Sequence, residues 1–117
     1  MTKVVFYKRN GVYYGFRESG HAGFADAGQD ILCSAISAMT MLVVNTLEVV
    51  YGLDVDCDVE EKTTNITVRC RGALPGAVED KKQYAASGLI YGYYLQLNEM
   101  LEDYYDFLDV DAVEMPL

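Results

Sequence analysis

Lys3-Val4-Val5-Phe6-Tyr7-Lys8-Arg9-Asn10-Gly11-Val12-Tyr13-Tyr14-Gly15-Phe16-Arg17-Glu18 sets two runs rich in Val, Phe and Tyr on either side of Asn10-Gly11. Asn-Gly between such runs is the strongest short signal for a tight antiparallel hairpin, because both central residues of the favoured turn need positive φ. Strands are therefore expected over residues 3–8 and 12–18. Past Ser19 both strand and helix periods vanish. Gly20-His21-Ala22-Gly23-Phe24-Ala25-Asp26-Ala27-Gly28 is a run of glycines and small residues and reads as a flexible loop.

After the loop, Leu32, Ile36, Met39, Val43, Leu47 and Val50 recur at helical spacing and form one apolar face. A helix is expected from Asp30 to Tyr51, with Gly52 as the residue that ends it. Its start has two candidate caps: Asp30 itself, or Asp26 with Gln29 in a capping box. A second hairpin follows. Val55, Cys57 and Val59 alternate with Asp54, Asp56 and Asp58, and Ile66, Val68 and Cys70 repeat the pattern after a turn within residues 60–64. Such alternation belongs to a sheet with one wet face. A long last helix, about residues 81–105, carries two apolar stripes: Ile90, Tyr94, Leu97, Leu101 and Tyr104, and Tyr84, Gly88, Tyr91 and Leu95. Gly88 and Gly92 weaken a helix interior, which suggests that another backbone comes close there. Leu108, Val110 and Ala112 alternate with Asp109 and Asp111 as a short final edge strand. The order ββαββα(β) reads as an α+β fold, an antiparallel sheet with two helices packed on one face.

Size and charge bound the function. The 117 residues suit a single domain, residues 1–117, with a core that needs no disulfides. The net charge of −9 argues against direct nucleic-acid binding and against a polybasic membrane surface, and favours a basic partner. Val4 to Tyr7 is too short an apolar stretch for a signal peptide, and the run Ala38 to Val44 is too short to span a membrane. Three cysteines at irregular spacing read as reduced thiols, so the expected location is cytoplasmic. Asp54-x-Asp56-x-Asp58 opens like a calcium loop, but Val59 and Asn65 stand where glycine and glutamate are required. With one histidine in the chain, zinc is not expected either. No cofactor and no metal is called for.

The chemistry concentrates at His21 and Cys33. His21 is the only histidine and sits where a strand gives way to the Gly-rich loop; Cys33 sits in the first or second turn of the following helix. Helix N-termini stabilise thiolates and other anions, and an imidazole nearby supplies the base a thiol nucleophile needs. Asp30, Cys33 and Ser37 share one helix face, so Ser37 is within reach of the sulfur and Asp30 can cap the helix or orient His21. The residues alone leave two readings open. One is a cysteine peptidase with a Cys33–His21 dyad. The other is a non-enzymatic ribosome- or protein-binding module in which Cys33 is a buried structural residue.

Gly20-His21-Ala22-Gly23-Phe24-Ala25 followed by Gly28-Gln29-Asp30-Ile31-Leu32-Cys33-Ser34-Ala35-Ile36-Ser37 resembles the signature of the ribosomal-processing cysteine protease family Prp: a Gly-His pair, a short loop, then Asp-x-x-Cys-x-x-x-Ser at a helix start. The close match covers about 20 residues, and the hairpin–helix–hairpin–helix layout extends it over nearly the whole chain. The resemblance implies a thiol protease of ribosome biogenesis. Its substrate would be large-subunit ribosomal protein twenty-seven, cut after a pair of aromatic residues to remove an N-terminal extension. It also implies His21 and Cys33 as catalytic residues, Gly20, Asp30 and Ser37 as substrate-binding or supporting ones, and a homodimer. The partner is then a ribosomal protein with a basic N-terminal region, and the spare stripe Tyr84, Tyr91 and Leu95 independently points to self-association.

Overall fold

The computed structural model describes residues 1–20 and 27–117, with residues 27–29 described by secondary structure alone. Strands β1 (Thr2–Arg9) and β2 (Val12–Ser19) form the expected hairpin. Asn10 and Gly11 both take positive φ, 51° and 77°, as their turn requires. The carboxylate of Glu114, from the far end of the chain, accepts hydrogen bonds from the Asn10 amide (2.9 Å) and the Gly11 amide (3.1 Å). Two amides that the turn leaves unpaired are thereby satisfied.

Helix α1 runs Ala27–Asn45 and continues as a π-helical turn, Thr46–Val50. It starts three residues earlier than the sequence pattern implied. Leu32, Ile36, Val43 and Leu47 are buried along its inner face. Val50, expected on the same stripe, is 71% exposed. The π turn explains the departure: the Tyr51 amide bonds back to the Thr46 carbonyl five residues earlier (2.9 Å), so the phase slips by one residue and half-buried Tyr51 takes the core-side position. Gly52 then adopts φ 66° and ends the helix as expected. By length and mean hydropathy (1.6) the stretch Asp30–Val50 is long and apolar enough to cross a bilayer, although no single unbroken apolar run is; its Leu32–Leu47 stripe packs instead into the core of the fold.

The sheet has the order β3-β4-β2-β1-β5, with β3 (Asp56–Val59), β4 (Ile66–Arg69) and β5 (Leu108–Glu114). Helix α2 (Asp80–Tyr104) connects β4 to β5. The architecture is α+β, with five strands and two helices, but the sheet is mixed rather than wholly antiparallel. β5 pairs with β1 in parallel, Thr2 opposite Leu108 through Lys8 opposite Glu114. The reason is the length of α2. A 25-residue helix carries the chain back along the sheet to the end at which β4 began, so β5 runs in the direction of β4 and hence of β1.

Val4, Phe6, Phe16 and Val68 from the sheet meet Leu32, Ile36 and Leu47 of α1 and Ile90, Tyr93 and Leu97 of α2 in one core. Of the three residues expected to point inward, Val55 packs partly against the core, but Cys57 and Val59 do not. All four residues of β3 are exposed, because this short edge strand lies beyond the cover of the helices. Cys70, after β4, is buried as expected. Gly88 and Gly92 also depart from the reading: nothing lies within 4 Å of a Cβ built on either. They instead open a groove of about 330 Å³ between the helices, bordered by Met39, Leu42 and Gln96.

Candidate active site

Cys33 lies in the second turn of α1 and is partly buried. Helical side chains lean toward the N-terminus, so its sulfur is directed back over the first turn. There it meets the start of β1: Thr2 Oγ1 is 3.8 Å from Cys33 Sγ. Thr2 is fully buried, and its amide donates to the Phe107 carbonyl (2.7 Å), which ties the strand to the segment leading into β5.

Gly20 closes the same corner from the other side. Its φ is 81°, and a Cβ built on it would overlap the Met1 carbonyl oxygen and stand 3.6 Å from Thr2 Cα. Only glycine allows the end of β2 to press this closely on the end of β1. The residue that immediately precedes His21 is therefore packed on Thr2, and Thr2 touches the sulfur. His21 itself, and most of the Gly-rich loop it belongs to, fall within residues 21–26, outside the described residues. The last two residues of that loop, Ala27 and Gly28, are already helix.

The supporting residues are placed as follows. Asp30 is exposed in the first turn of α1, where its charge complements the positive end of the helix dipole. It is not the cap, because the helix begins at Ala27. Asp26, the other candidate cap, lies outside the described residues. Ser37 is exposed, and among the described residues no hydrogen bond joins it to Cys33. Thus Cys33 and Gly20 come together around Thr2, while Asp30 and Ser37 line the solvent side of α1.

Two features went unread in the sequence. One is Thr2. The other is a buried polar cluster two turns further along α1. Glu18, on β2, is buried, and its Oε1 accepts hydrogen bonds from Thr40 Oγ1 of α1 and from the Tyr93 hydroxyl of α2 (2.9 Å). The Thr40 and Tyr93 hydroxyls lie 3.1 Å apart and close the triangle. Burial raises the Glu18 carboxyl above the usual carboxylate range, more than the two hydroxyls lower it. The Tyr93 phenol is raised too, first by burial and then by Glu18 beside it. A signal was available: Glu18 has the parity of Phe16, an inward position of β2. A larger groove of about 580 Å³, lined by Tyr13, Tyr84 and Tyr91, lies near the hairpin turn at the opposite end of β2 and contains none of these residues.

The family model of the cysteine protease Prp matches residues 1–109. The chain belongs to the Prp family of cysteine proteases. It is 30% identical over 95 residues to the ribosomal processing cysteine protease Prp of Bacillus subtilis (strain 168), which covers 81% of each protein. Its fold is similar to that of SMU.848 from Streptococcus mutans, with a TM-score of 0.79, 23% identity, and 98% and 99% of the two chains covered. It is also similar to the essential ribosomal processing protease Prp from S. aureus solved with a substrate peptide, with a TM-score of 0.78, 18% identity, and 97% and 100% covered. Membership of the Prp family makes the chain a cysteine protease of the ribosomal-processing type. The non-enzymatic binding-module alternative loses its ground with that membership; of the cysteines, Cys33 is partly buried, Cys57 exposed and Cys70 sealed in the core.

Proposed function

We propose that this chain is the endopeptidase that removes the N-terminal extension of large-subunit ribosomal protein twenty-seven, and that Cys33 and His21 are its catalytic dyad. The observation that carries the reading is the corner in which Gly20 packs on Met1 and Thr2 while Thr2 touches Cys33. Gly20, the residue before His21, and Cys33 thus share Thr2 as a neighbour, which supports the pairing. In the reaction, the Cys33 sulfur forms a bond to the scissile carbonyl carbon and its proton passes to His21. His21 returns that proton to the amine as the C–N bond breaks, which leaves a thioester. Water, giving a proton to His21, then attacks the thioester and the C–S bond breaks. No cofactor or metal enters these steps.

The net charge of −9 favours a basic substrate segment, with an attraction that weakens as salt rises. The same acidity speaks against direct nucleic-acid binding, and the free cysteines fit a cytoplasmic setting. Self-association is supported by the outer surface of the helices. Tyr84 is 80% exposed; Tyr91 and Leu95 on the same stripe of α2 are exposed too, as are Met41 and Leu42 of α1. An apolar surface of this extent is usual at a two-fold interface and unusual on a monomer.

The test is cleavage of a synthetic peptide that carries the extension and its paired aromatics. Cys33→Ala and His21→Ala are each expected to abolish cleavage while the circular dichroism spectrum stays native. Retained cleavage in Cys33→Ala overturns the dyad.

A further inference from the structure

We propose that Thr2 is a positioning residue for the Cys33 sulfur, its hydroxyl holding the sulfur toward the Gly20 corner and donating a hydrogen bond to it whenever it is charged. The proposal rests on Cys33 acting as the nucleophile.

Thr2 shares the inward face of β1 with Val4 and Phe6, and all three are fully buried. A valine would fill this place without bringing a polar atom into the core. The hydroxyl that is present must find a partner, because water does not reach it. Among the described residues its only hydrogen-bonding contact is Cys33 Sγ, 31 residues away in sequence. At 3.8 Å the pair is within hydrogen-bonding distance for sulfur, and either atom can donate.

The backbone around Thr2 is fixed on every side. Its amide is held by Phe107, its Cα is in register with Leu108, and Gly20 presses on it from β2. A β-branched side chain on so constrained a backbone has few rotamers. The sulfur, by contrast, sits on a single rotatable bond of a partly buried helix turn. Thr2 is therefore the fixed member of the pair, and Cys33 the one that is aimed.

The hydroxyl rotates, so it serves both charge states of the sulfur. Toward the thiol, Thr2 Oγ1 accepts from S–H. Toward the thiolate, it donates. Negative charge develops on sulfur twice in the proposed cycle: when His21 takes the thiol proton, and when water displaces sulfur from the thioester and the C–S electron pair returns to it. Thr2 stabilises that charge at both points by a hydrogen bond alone; no proton leaves its oxygen. A hydrogen bond to a charged group of this kind corresponds to a rate effect of about 10- to 100-fold.

The test compares Thr2→Val, which keeps the shape and removes the hydroxyl, with Thr2→Ser, which keeps the hydroxyl and removes the methyl. The S–H stretch of Cys33 is read by infrared difference against Cys33→Ala in the whole chain, and kcat and KM are read on the extension peptide. Thr2→Val is expected to move the band to higher frequency and to lower kcat about 10- to 100-fold with KM little changed. Thr2→Ser is expected to keep the wild-type band and most of kcat. An unchanged band in Thr2→Val overturns the proposal, as does an equal loss of kcat in both variants, which would assign the effect to packing. Urea midpoints of both variants separate a folding defect from either result. The infrared measurement needs no substrate, so it reads the Thr2–Cys33 contact even if Cys33→Ala retains cleavage and the dyad assignment fails.

Discussion

Gly20→Ala probes the corner on which the site depends, and its cost can be worked from two terms. The first is backbone strain. Gly20 has φ 81°, and a residue with a Cβ loses about 1–2 kcal/mol in left-handed geometry. The second is collision. The added Cβ would overlap the Met1 carbonyl oxygen and stand 3.2 Å from its carbon, and these are backbone atoms that cannot rotate aside. Overpacking of this kind costs about 1–3 kcal/mol. The sum, about 2–5 kcal/mol, is a large part of the 5–15 kcal/mol typical of a domain, and at about 4 °C per kcal/mol it lowers Tm by about 8–20 °C. Relief requires the start of β1 to move, and Thr2 moves with it, so cleavage should fall more steeply than the loss of folded protein explains. The internal standards are Gly88→Ala and Gly92→Ala. Both lie in α2 with open space where the methyl would go, so each should gain up to about 1 kcal/mol of helix stability. Urea unfolding of the three variants under identical conditions measures the contrast. If Gly20→Ala is as stable as Gly88→Ala, the tight approach of β2 to β1 is not a feature of the folded protein in solution.

The raised pKa of Glu18 makes stability depend on pH in a defined sense. A carboxyl raised in the folded state contributes stability that is present below its ordinary, unfolded value and is lost as pH rises through the raised value, at about 1.4 kcal/mol for each pKa unit between the two. Glu18→Gln should therefore resemble the wild type in acid and gain on it toward neutral pH, as urea midpoints across that range would record; a difference independent of pH would contradict the assignment. For self-association, light scattering at micromolar concentration should give about 26 kDa, twice the 13.0 kDa chain. Tyr84→Glu, at a site 80% exposed, should return the single-chain mass with the fold intact. A wild type that scatters as a single chain refutes the dimer.

Much of this fold is readable because local geometry dictates the residue. Asn10-Gly11 and Gly52 announce positive φ, and the α1 stripe announces burial as far as Leu47. Each departure has a non-local cause. The π turn that exposes Val50 shifts the helical phase without changing composition. Alternation in residues 55–59 identifies the two faces of a strand, but not whether a helix reaches far enough to cover either. The direction of β5 follows from where α2 delivers the chain, which no feature of residues 108–114 encodes. At the site, the Gly20–Cys33 association was legible as a motif. Thr2 was not, because threonine at the start of a strand is an ordinary β-former, and its partner is set by the way β1 and α1 meet. Glu18 was legible in principle as a charged residue at an inward position of β2.

The pairing of β1 with β5 has a consequence for how the protein is made. Thr2 opens β1, yet the carbonyl that fixes its amide belongs to Phe107 and its in-register neighbour is Leu108. Contacts of such sequence separation close late in folding, since the entropy of bringing two distant segments together precedes any reward from the contact. Until residues 107–114 emerge, β1 has a bare edge, the hairpin turn lacks the Glu114 carboxylate, and the strand that carries Thr2 is held from one side only. A nascent chain can therefore build the β1–β2 hairpin and both helices before the corner around Cys33 is firm. The setting of Cys33 is then completed by β5, acting through β1.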